Sequence, residues 1–201
     1  MKAILFDFDG VLTVDKYGSD SILRYLAENT DVPFEILKKE YYKINKGLLL
    51  GQYTHREVWN DYCKNVGARI DYQLLINSFI STPLDQDMLA LVKQLKEEYL
   101  IGMITDNKAD RIEKILSYHG LNDLFDTVTV SARCKCGKDD RRIFDLTLQA
   151  LAVEPGACVF VDNSEKNLKV PNEMGIHTIL FDDAKRDLAG FRKELDDLLR
   201  Y

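Results

Sequence analysis

Short apolar runs alternate with amphipathic stretches along much of this chain. Five runs have the length and composition of buried strands: residues 2–6, 100–105, 127–131, 157–162 and 176–181. Apolar residues at helical spacing predict helices between and after the later runs, over 109–118, 140–152, 165–174 and 184–199. Strands that alternate with helices are typical of a parallel sheet covered on both faces. We therefore predict an α/β fold with a Rossmann-like, doubly wound parallel core.

The stretch between the first two predicted strands has a different pattern, with helical spacing throughout. Residues 19–29 are amphipathic, Pro33 can open a second helix, and a capping box that begins at Thr54 opens a third. Residues 71–80 can form a fourth helix. The sequence thus predicts a helical cap inserted after the first strand, with the cap over residues 15–83 and the core over residues 1–14 and 84–201.

The ends of four predicted strands carry polar residues: Asp7, Thr105, Ser131 and Asp162. Doubly wound folds bind ligands at the carboxyl ends of their strands, so these side chains indicate a site. Asp7 and Asp9 place two carboxylates two residues apart, and Asp162 supplies a third. Such an oxygen-rich group suits a hard cation, and we expect Mg²⁺ to be the cofactor.

Four segments in order resemble the motifs of the haloacid dehalogenase superfamily: DFDGVLT (7–13), GMIT (102–105), KDDRRIF (138–144) and VFVDNSEKN (159–167). The four together are far more specific than the first alone, and they extend over the whole chain. The helical insert lies where this superfamily places its C1-type cap. The resemblance implies a hydrolase of the phosphatase type.

Residue roles follow from that resemblance. It implies that Asp7 attacks phosphorus and forms an aspartyl-phosphate, while Asp9 acts as general acid and base. Thr105 would hydrogen-bond a phosphoryl oxygen, and Lys138 would neutralise charge. Asp7, Asp9 and Asp162 would hold the metal. The expected activity is Mg²⁺-dependent hydrolysis of a phosphomonoester, a small metabolite such as a sugar phosphate.

Further residues are expected to support phosphate or substrate binding. Candidates for phosphate or supporting contacts are Asp106, Asn107 and Asn163, and candidates for substrate contacts are Gly10, Tyr17 and Arg56. Three departures from the family pattern bear on efficiency more than on the type of reaction. Asn163 stands where a second aspartate is common, Asp106 where asparagine is frequent, and Asp139 and Arg141 where prolines are usual.

Two alternatives stay open beside the phosphatase. A phosphomutase shares all four motifs, and a binding protein that retains the fold with weakened catalysis would explain the departures. Asp9 argues against a dehalogenase, because a halide leaving group needs no proton. A nucleotide-dependent oxidoreductase is disfavoured, because no Gly-x-Gly-x-x-Gly follows the first strand.

Composition restricts the partners. The 201 residues carry a formal net charge of −6, which disfavours nucleic acid and anionic membrane surfaces as partners. Asp7 interrupts the first apolar run, and no run is long enough for a membrane helix, so we expect a cytoplasmic protein. Cys134 and Cys136 do not complete a zinc site by themselves, and their role is left open. The sequence leaves the substrate's identity and the oligomeric state open as well.

Overall fold

A five-stranded parallel sheet lies at the centre of the protein. The computed structural model describes residues 1–199; Arg200 and Tyr201, the end of the predicted core segment 84–201, lie outside the described residues. The strands are β1 (Ala3–Phe6), β2 (Leu100–Thr105), β3 (Thr127–Val130), β4 (Cys158–Asp162) and β5 (His177–Leu180). Their order across the sheet is β3-β2-β1-β4-β5, and every neighbouring pair is parallel. This order confirms the doubly wound prediction.

Four helices follow β1 before the chain returns to the sheet: α1 (Gly18–Glu28), α2 (Phe34–Leu49), α3 (His55–Val66) and α4 (Tyr72–Ile80). The predicted capping box is present, since Thr54 Oγ1 accepts from the Glu57 N–H and the Glu57 carboxylate accepts from the Thr54 N–H. Gly67 ends α3 in the left-handed conformation, with φ of 74°. The expected helical insert after the first strand is therefore confirmed.

Six helices accompany the other strands: α5 (Gln86–Leu95), α6 (Ala109–Tyr118), α7 (Ser131–Cys134), α8 (Arg141–Leu151), α9 (Glu165–Glu173) and α10 (Leu188–Leu199). Short 3₁₀ turns occupy Asn122–Leu124 and Pro155–Ala157. Alternate β1 side chains serve the two faces of the sheet. Ile4 and Phe6 join the apolar cluster that contains α5, α6 and α10, whereas Ala3 and Leu5 join that of α8. The first cluster continues into α1–α4, so the insert and the sheet share buried apolar contacts.

The last helix begins later than the predicted range of 184–199. The Asp182 carboxylate accepts from the N–H groups of Ala184 and Lys185, which forms a turn in place of the first helical residues. Arg186 follows with a left-handed φ of 48°, and the helix begins at Leu188. Apolar spacing alone did not reveal this competition between an aspartate turn and a helix.

The two linkers of the insert lie side by side. Thr13 and Leu84 form an antiparallel bridge, and the Val14 N–H donates to the Pro83 carbonyl at 2.9 Å. The Arg186 guanidinium fastens this point, because it bonds the Asp85 carboxylate and the carbonyls of Gly10 and Val11. The division at residues 14/15 and 83/84 stays a prediction, and this bridge lies at that boundary. No helix in residues 1–199 combines the length and the apolar character needed to cross a membrane.

Candidate active site

A cleft of about 420 Å³ opens where the carboxyl ends of the strands meet α1 and α2. Seven of the predicted site residues line it: Asp7, Asp9, Tyr17, Thr105, Asp106, Lys138 and Asn163. Asp162 and Asn107 are buried and contact lining residues. Gly10 and Arg56 do not belong to the lining.

Asp7, Lys138 and Asp162 form the innermost group. The Lys138 ammonium lies 2.8 Å from Asp7 Oδ1 and 2.6 Å from Asp162 Oδ2. All three residues are buried. The two carboxylates are brought together because β1 and β4 are adjacent parallel strands, paired from Ala3–Cys158 to Phe6–Val161.

Burial and charge act in opposite directions within this group. Burial raises the pKa of Asp7 to about 7, and Asp162 adds to the rise, while the Lys138 ammonium opposes it. Burial alone would lower the pKa of Lys138, but the charges of Asp7 and Asp162 raise it above its ordinary value. Lys138 is therefore firmly cationic, and a further positive charge beside Asp7 would favour its carboxylate form.

Asp162 is held by the turn that follows β4. Its Oδ1 accepts from the Ser164 N–H at 2.8 Å, and the Asn167 amide donates to both carboxylate oxygens at 3.1 Å. Asn167 comes from the first turn of α9 and lies in the fourth motif, although the prediction assigned it no role. The contacts fix the orientation of Asp162 towards Lys138.

Asp106 fixes the segment that carries Lys138. Asp106 Oδ1 accepts from the Lys138 N–H at 3.0 Å, and burial raises the pKa of this carboxyl. Through this hydrogen bond Asp106 helps to hold the backbone at Lys138 in place. The segment around Lys138 has Asp139 and Arg141 where prolines are usual, and the hydrogen bond from Asp106 restrains it instead.

Asp9 does not join Asp7 and Asp162 as a third carboxylate. Arg111 binds it in a bidentate ion pair, with N–O distances of 2.8 Å and 2.9 Å, and the Asn107 amide donates to it at 2.7 Å. Arg111 is fully buried on α6. Among residues 1–199 no group of three His, Cys, Asp or Glu side chains is arranged for a metal, and the set of Asp7, Asp9 and Asp162 as metal ligands stays a prediction.

Two carboxylates still fit a hard cation. Asp7 and Asp162 share one ammonium, so their oxygens lie close together, and oxygen ligands are those that Mg²⁺ prefers. A cation bound beside Asp7 would favour the carboxylate form of this residue and lower its raised pKa. Asp9 could contribute only through its backbone carbonyl, because its side chain is engaged by Arg111.

Thr105, Asn107 and Ser131 connect the strand ends to the insert. The Asn107 amide donates to Thr105 Oγ1 at 3.3 Å, and the Asn107 N–H donates to Ser131 Oγ at 2.9 Å. Ser131 Oγ in turn donates to the Leu49 carbonyl of α2 at 2.7 Å. Asn107 therefore supports Asp9 and Thr105, and Ser131 ties the sheet edge to the insert.

The three residues predicted to touch substrate differ in position. Tyr17 lines the cleft and is 59% exposed. Gly10 has a φ of 83°, and a Cβ there would lie 2.2 Å from the Asn163 amide nitrogen, so glycine permits this close approach. The Arg56 guanidinium lies 4.7 Å from the centre of the Tyr72 ring, outside the cleft lining. The position of Arg56 does not support its predicted role in substrate binding.

Arg111 and Lys108 are buried cations that the sequence interpretation missed. Lys108 directly follows the polar strand end at Thr105–Asn107, and its ammonium donates to Ser19 Oγ of α1 at 2.6 Å. Arg111 precedes Ile112 and lies four positions before Ile115 on the buried face of α6. A charged residue at an apolar helical position was the available signal for Arg111, whereas no comparable pattern marks Lys108.

The doubly wound sheet, the helical insert after β1 and the aspartates at the strand ends define a class of α/β enzymes with a cap over the strand ends. A family model of haloacid dehalogenase-like hydrolases matches residues 1–175. The chain belongs to this family, which confirms the resemblance drawn from the four motifs.

Known relatives span several activities. β-Phosphoglucomutase of Bacillus subtilis is 27% identical over 192 residues, which cover 89% of this chain and 82% of that protein. Bifunctional epoxide hydrolase 2 of Rattus norvegicus is 26% identical over 218 residues, covering 98% of this chain and 38% of that protein. The two relatives thus carry different activities in their names, and the second is matched over little more than a third of its length.

Solved structures agree on the fold. The magnesium complex of a family enzyme from Bacteroides thetaiotaomicron has a TM-score of 0.74 at 21% identity, covering 90% of this chain and 92% of that one. A phosphatase of the family from Thermococcus onnurineus has a TM-score of 0.65 at 22% identity, covering 90% and 86%. An L-2-haloacid dehalogenase has a TM-score of 0.67 at 19% identity, covering 90% and 84%. At these identities the likeness establishes the fold alone.

Proposed function

We propose that this chain is a Mg²⁺-dependent phosphomonoester hydrolase that acts on a small phosphorylated metabolite, such as a sugar phosphate. The observation that carries the proposal is the buried group of Asp7, Lys138 and Asp162 at the base of the cleft. A cytoplasmic location remains part of the same proposal.

Asp7 is the proposed nucleophile. One of its carboxylate oxygens forms a bond to phosphorus while the bond from phosphorus to the ester oxygen breaks, which yields an aspartyl-phosphate and an alcohol. Water then attacks that phosphorus and releases inorganic phosphate. Lys138 stays beside Asp7 at 2.8 Å and offsets negative charge on the phosphoryl group. Thr105 also lines the cleft, and its hydroxyl donates to a phosphoryl oxygen.

Asp9 is the proposed acid and base. It would protonate the departing ester oxygen and later accept a proton from the attacking water. Its carboxylate lines the cleft but is bound by Arg111 and Asn107. Proton transfer therefore requires Asp9 to loosen at least one of these contacts and turn towards the substrate.

Asp7 and Asp162 are the side chains that would hold Mg²⁺. Bound there, the ion would supply positive charge that lets an anionic nucleophile approach an anionic ester. A magnesium complex of a structural neighbour supports this part of the proposal. The group of Asp7, Lys138 and Asp162 fits it, because its single ammonium faces two carboxylates.

A phosphomutase is the second candidate. The Bacillus subtilis relative, which bears that activity in its name, matches 89% of this chain and is itself covered over 82% of its length. A mutase passes the phosphoryl group back to a sugar hydroxyl instead of water. Release of inorganic phosphate measured against isomerisation of a sugar phosphate in the same reaction separates the two.

A binding protein with weakened catalysis is a candidate of a different kind, motivated by Asn163, Asp106 and Asp139. The bond from the Lys138 N–H to Asp106 favours the enzyme over this alternative, because it preserves the placement of Lys138. A panel of phosphomonoesters incubated with Mg²⁺ tests the point. Absence of turnover throughout the panel would favour the binding protein.

The Asp7→Asn variant tests the nucleophile. We expect kcat/KM to fall at least about a thousandfold on any ester that the wild type hydrolyses, because the amide is a poor nucleophile. Thermal unfolding should show an intact fold, since the change removes one of two adjoining buried carboxylates. Retained turnover in this variant would refute the assignment. Chelation by EDTA should abolish wild-type activity and added Mg²⁺ should restore it.

A further inference from the structure

Lys108 differs from the other two lysines that line the cleft. Lys138 pairs with two carboxylates and Lys16 with Asp183 at 3.3 Å. Lys108 also lines the cleft, yet it forms no ion pair with any carboxylate of residues 1–199. Its ammonium is held by a hydrogen bond to Ser19 Oγ and lies 5.6 Å from the centre of the Tyr41 ring. The cleft thus contains a positive group that no carboxylate of residues 1–199 contacts directly, although the charges of Asp9, Asp110 and Asp20 act on it from farther away.

The surroundings of Lys108 leave its charge poorly solvated. The residue is 3% exposed, and burial together with the charge of Arg111 lowers the pKa of its ammonium to about 7, although Asp9, Asp110 and Asp20 oppose the shift. An anion that enters the cleft would supply the missing charge partner and raise the pKa again. A hydrogen bond between charged partners in such a setting is stronger than one between neutral groups.

Ser19 and Asn45 complete a polar patch beside Lys108. Ser19 Oγ donates to Asn45 Oδ1 at 3.1 Å, and both residues line the cleft. The amide nitrogen of Asn45 can only donate hydrogen bonds. Ammonium and amide donors that lie on one side of a cleft suit an acceptor with several oxygens.

The patch lies on the same cleft as the proposed phosphate end. Asp7, Thr105 and Lys138 line its base, whereas Ser19 and Asn45 come from α1 and α2 of the insert. A cleft of about 420 Å³ holds one small molecule, so a ligand with its phosphate at Asp7 reaches the patch with its leaving group.

We propose that Lys108, Ser19 and Asn45 form a subsite for an oxyanion, a carboxylate or a second phosphate, on the leaving group of the substrate. The inference rests on the proposed function, since that function places the reacting phosphate at Asp7. It narrows the substrate class from any small phosphomonoester to one that carries a second negative group.

Two matched ligand pairs test the subsite. The first compares 3-phosphoglycerate with glycerol 3-phosphate, which replaces the carboxylate by an alcohol. The second compares propane-1,3-diyl bisphosphate with 3-hydroxypropyl phosphate. Calorimetric titration of the full-length Asp7→Asn protein with Mg²⁺ present gives dissociation constants without turnover. We expect the doubly anionic member of at least one pair to bind at least about tenfold more tightly, and the pair that shows the preference identifies the oxyanion.

Lys108→Met on the same background should remove the preference, and Lys64→Met should keep it. Lys64 is an exposed lysine of α3 paired with Asp61, so the control has the same change of charge away from the cleft. Ser19→Ala is a second, milder variant for which we expect the preference to fall about threefold. If Lys108→Met does not fold, an unchanged preference in Ser19→Ala overturns the proposal.

Three other outcomes would also overturn the subsite. They are equal affinities within both pairs, no measurable binding of any of the four ligands, and a preference that survives in Lys108→Met. Turnover by the wild-type protein separates this failure from failure of the proposed function. Equal kcat/KM for 3-phosphoglycerate and glycerol 3-phosphate would remove the subsite and leave the phosphatase. Selective binding without turnover of any ester would leave the subsite and remove the phosphatase.

Discussion

The two buried lysines that line the cleft, Lys138 and Lys108, have pKa shifts of opposite sign. Lys138 faces Asp7 and Asp162, and its pKa rises above the ordinary value. Lys108 has a serine hydroxyl and an aromatic ring as neighbours, and its pKa falls to about 7, with burial as the main cause. Burial is common to both, so the carboxylates decide the sign.

Arg111 gives the intermediate case, because it is buried against the single carboxylate of Asp9. The three cations thus have two, one and no carboxylate partners. Removing a cation leaves behind whatever charge it balanced. We expect the effects of the corresponding methionine variants on the free energy of unfolding to follow that ranking.

Lys138→Met should have the largest effect. We expect the free energy of unfolding to fall by about 3–5 kcal/mol, because Asp7 and Asp162 would face each other without a cation. Chemical denaturation at pH 7 in EDTA measures it. Adding Asp162→Asn should restore part of the loss. The exposed Lys166→Met on α9 is the matched control and should change stability by less than about 0.5 kcal/mol; an equal loss in both variants would contradict the comparison.

Arg111→Met should come second, with a loss of about 2–4 kcal/mol, because Asp9 is partly open to solvent and can recover some hydration. Arg111→Lys keeps the charge and loses the bidentate geometry, so we expect a smaller loss of about 1 kcal/mol. A double-mutant cycle with Asp9→Asn should show a coupling of at least about 1 kcal/mol. Additive effects would mean that the ion pair contributes nothing specific.

Lys108→Met should have the smallest effect and the opposite sign, a gain of about 1–2 kcal/mol at pH 7 without ligand. The folded pKa of about 7 lies below the ordinary 10.5, so the unfolded chain binds more protons between these values. Wild-type stability therefore rises with pH across that window, and the advantage of methionine should shrink towards pH 10. Asp9, Asp20 and Asp110 oppose the shift and Arg111 adds to it. A gain that does not depend on pH would rule out this origin.

The sheet and its strand-end residues were predictable because they follow from short-range patterns. Apolar runs located all five strands to within a residue or two. Because β1 and β4 are parallel neighbours, Asp7 and Asp162 lie at the same edge of the sheet regardless of their side-chain conformations. The helical insert followed from spacing and a capping box. Asp7, Lys138 and Asp162 needed only this topology to meet.

The orientation of Asp9 and the burial of Lys108 were not predictable by the same means. Asp9 turns to Arg111, which is 102 positions away in sequence, and Lys108 reaches Ser19, which is 89 positions away. The first contact depends on how the segment after β1 packs against α6, and the second on how α1 of the insert packs beside the start of α6. Gly18 shows how close that packing is, since a Cβ there would lie 2.2 Å from the Arg111 guanidinium. Packing of this kind depends on the three-dimensional fit of side chains that are distant in sequence, so local sequence patterns do not reveal it.

The bridge between Thr13 and Leu84 holds the two linkers of the insert together, and Arg186 ties them to the segment that follows β1. Because both covalent connections of the insert lie at one place, the insert can be exchanged without altering the order of the strands, provided that its contacts with α6 and with Ser131 are kept. Grafting residues 15–83 from a relative would then alter what the entrance admits while the machinery at β1 and β4 keeps its register. In this architecture the residues of the insert that select the substrate can change in evolution independently of the reacting residues at the strand ends.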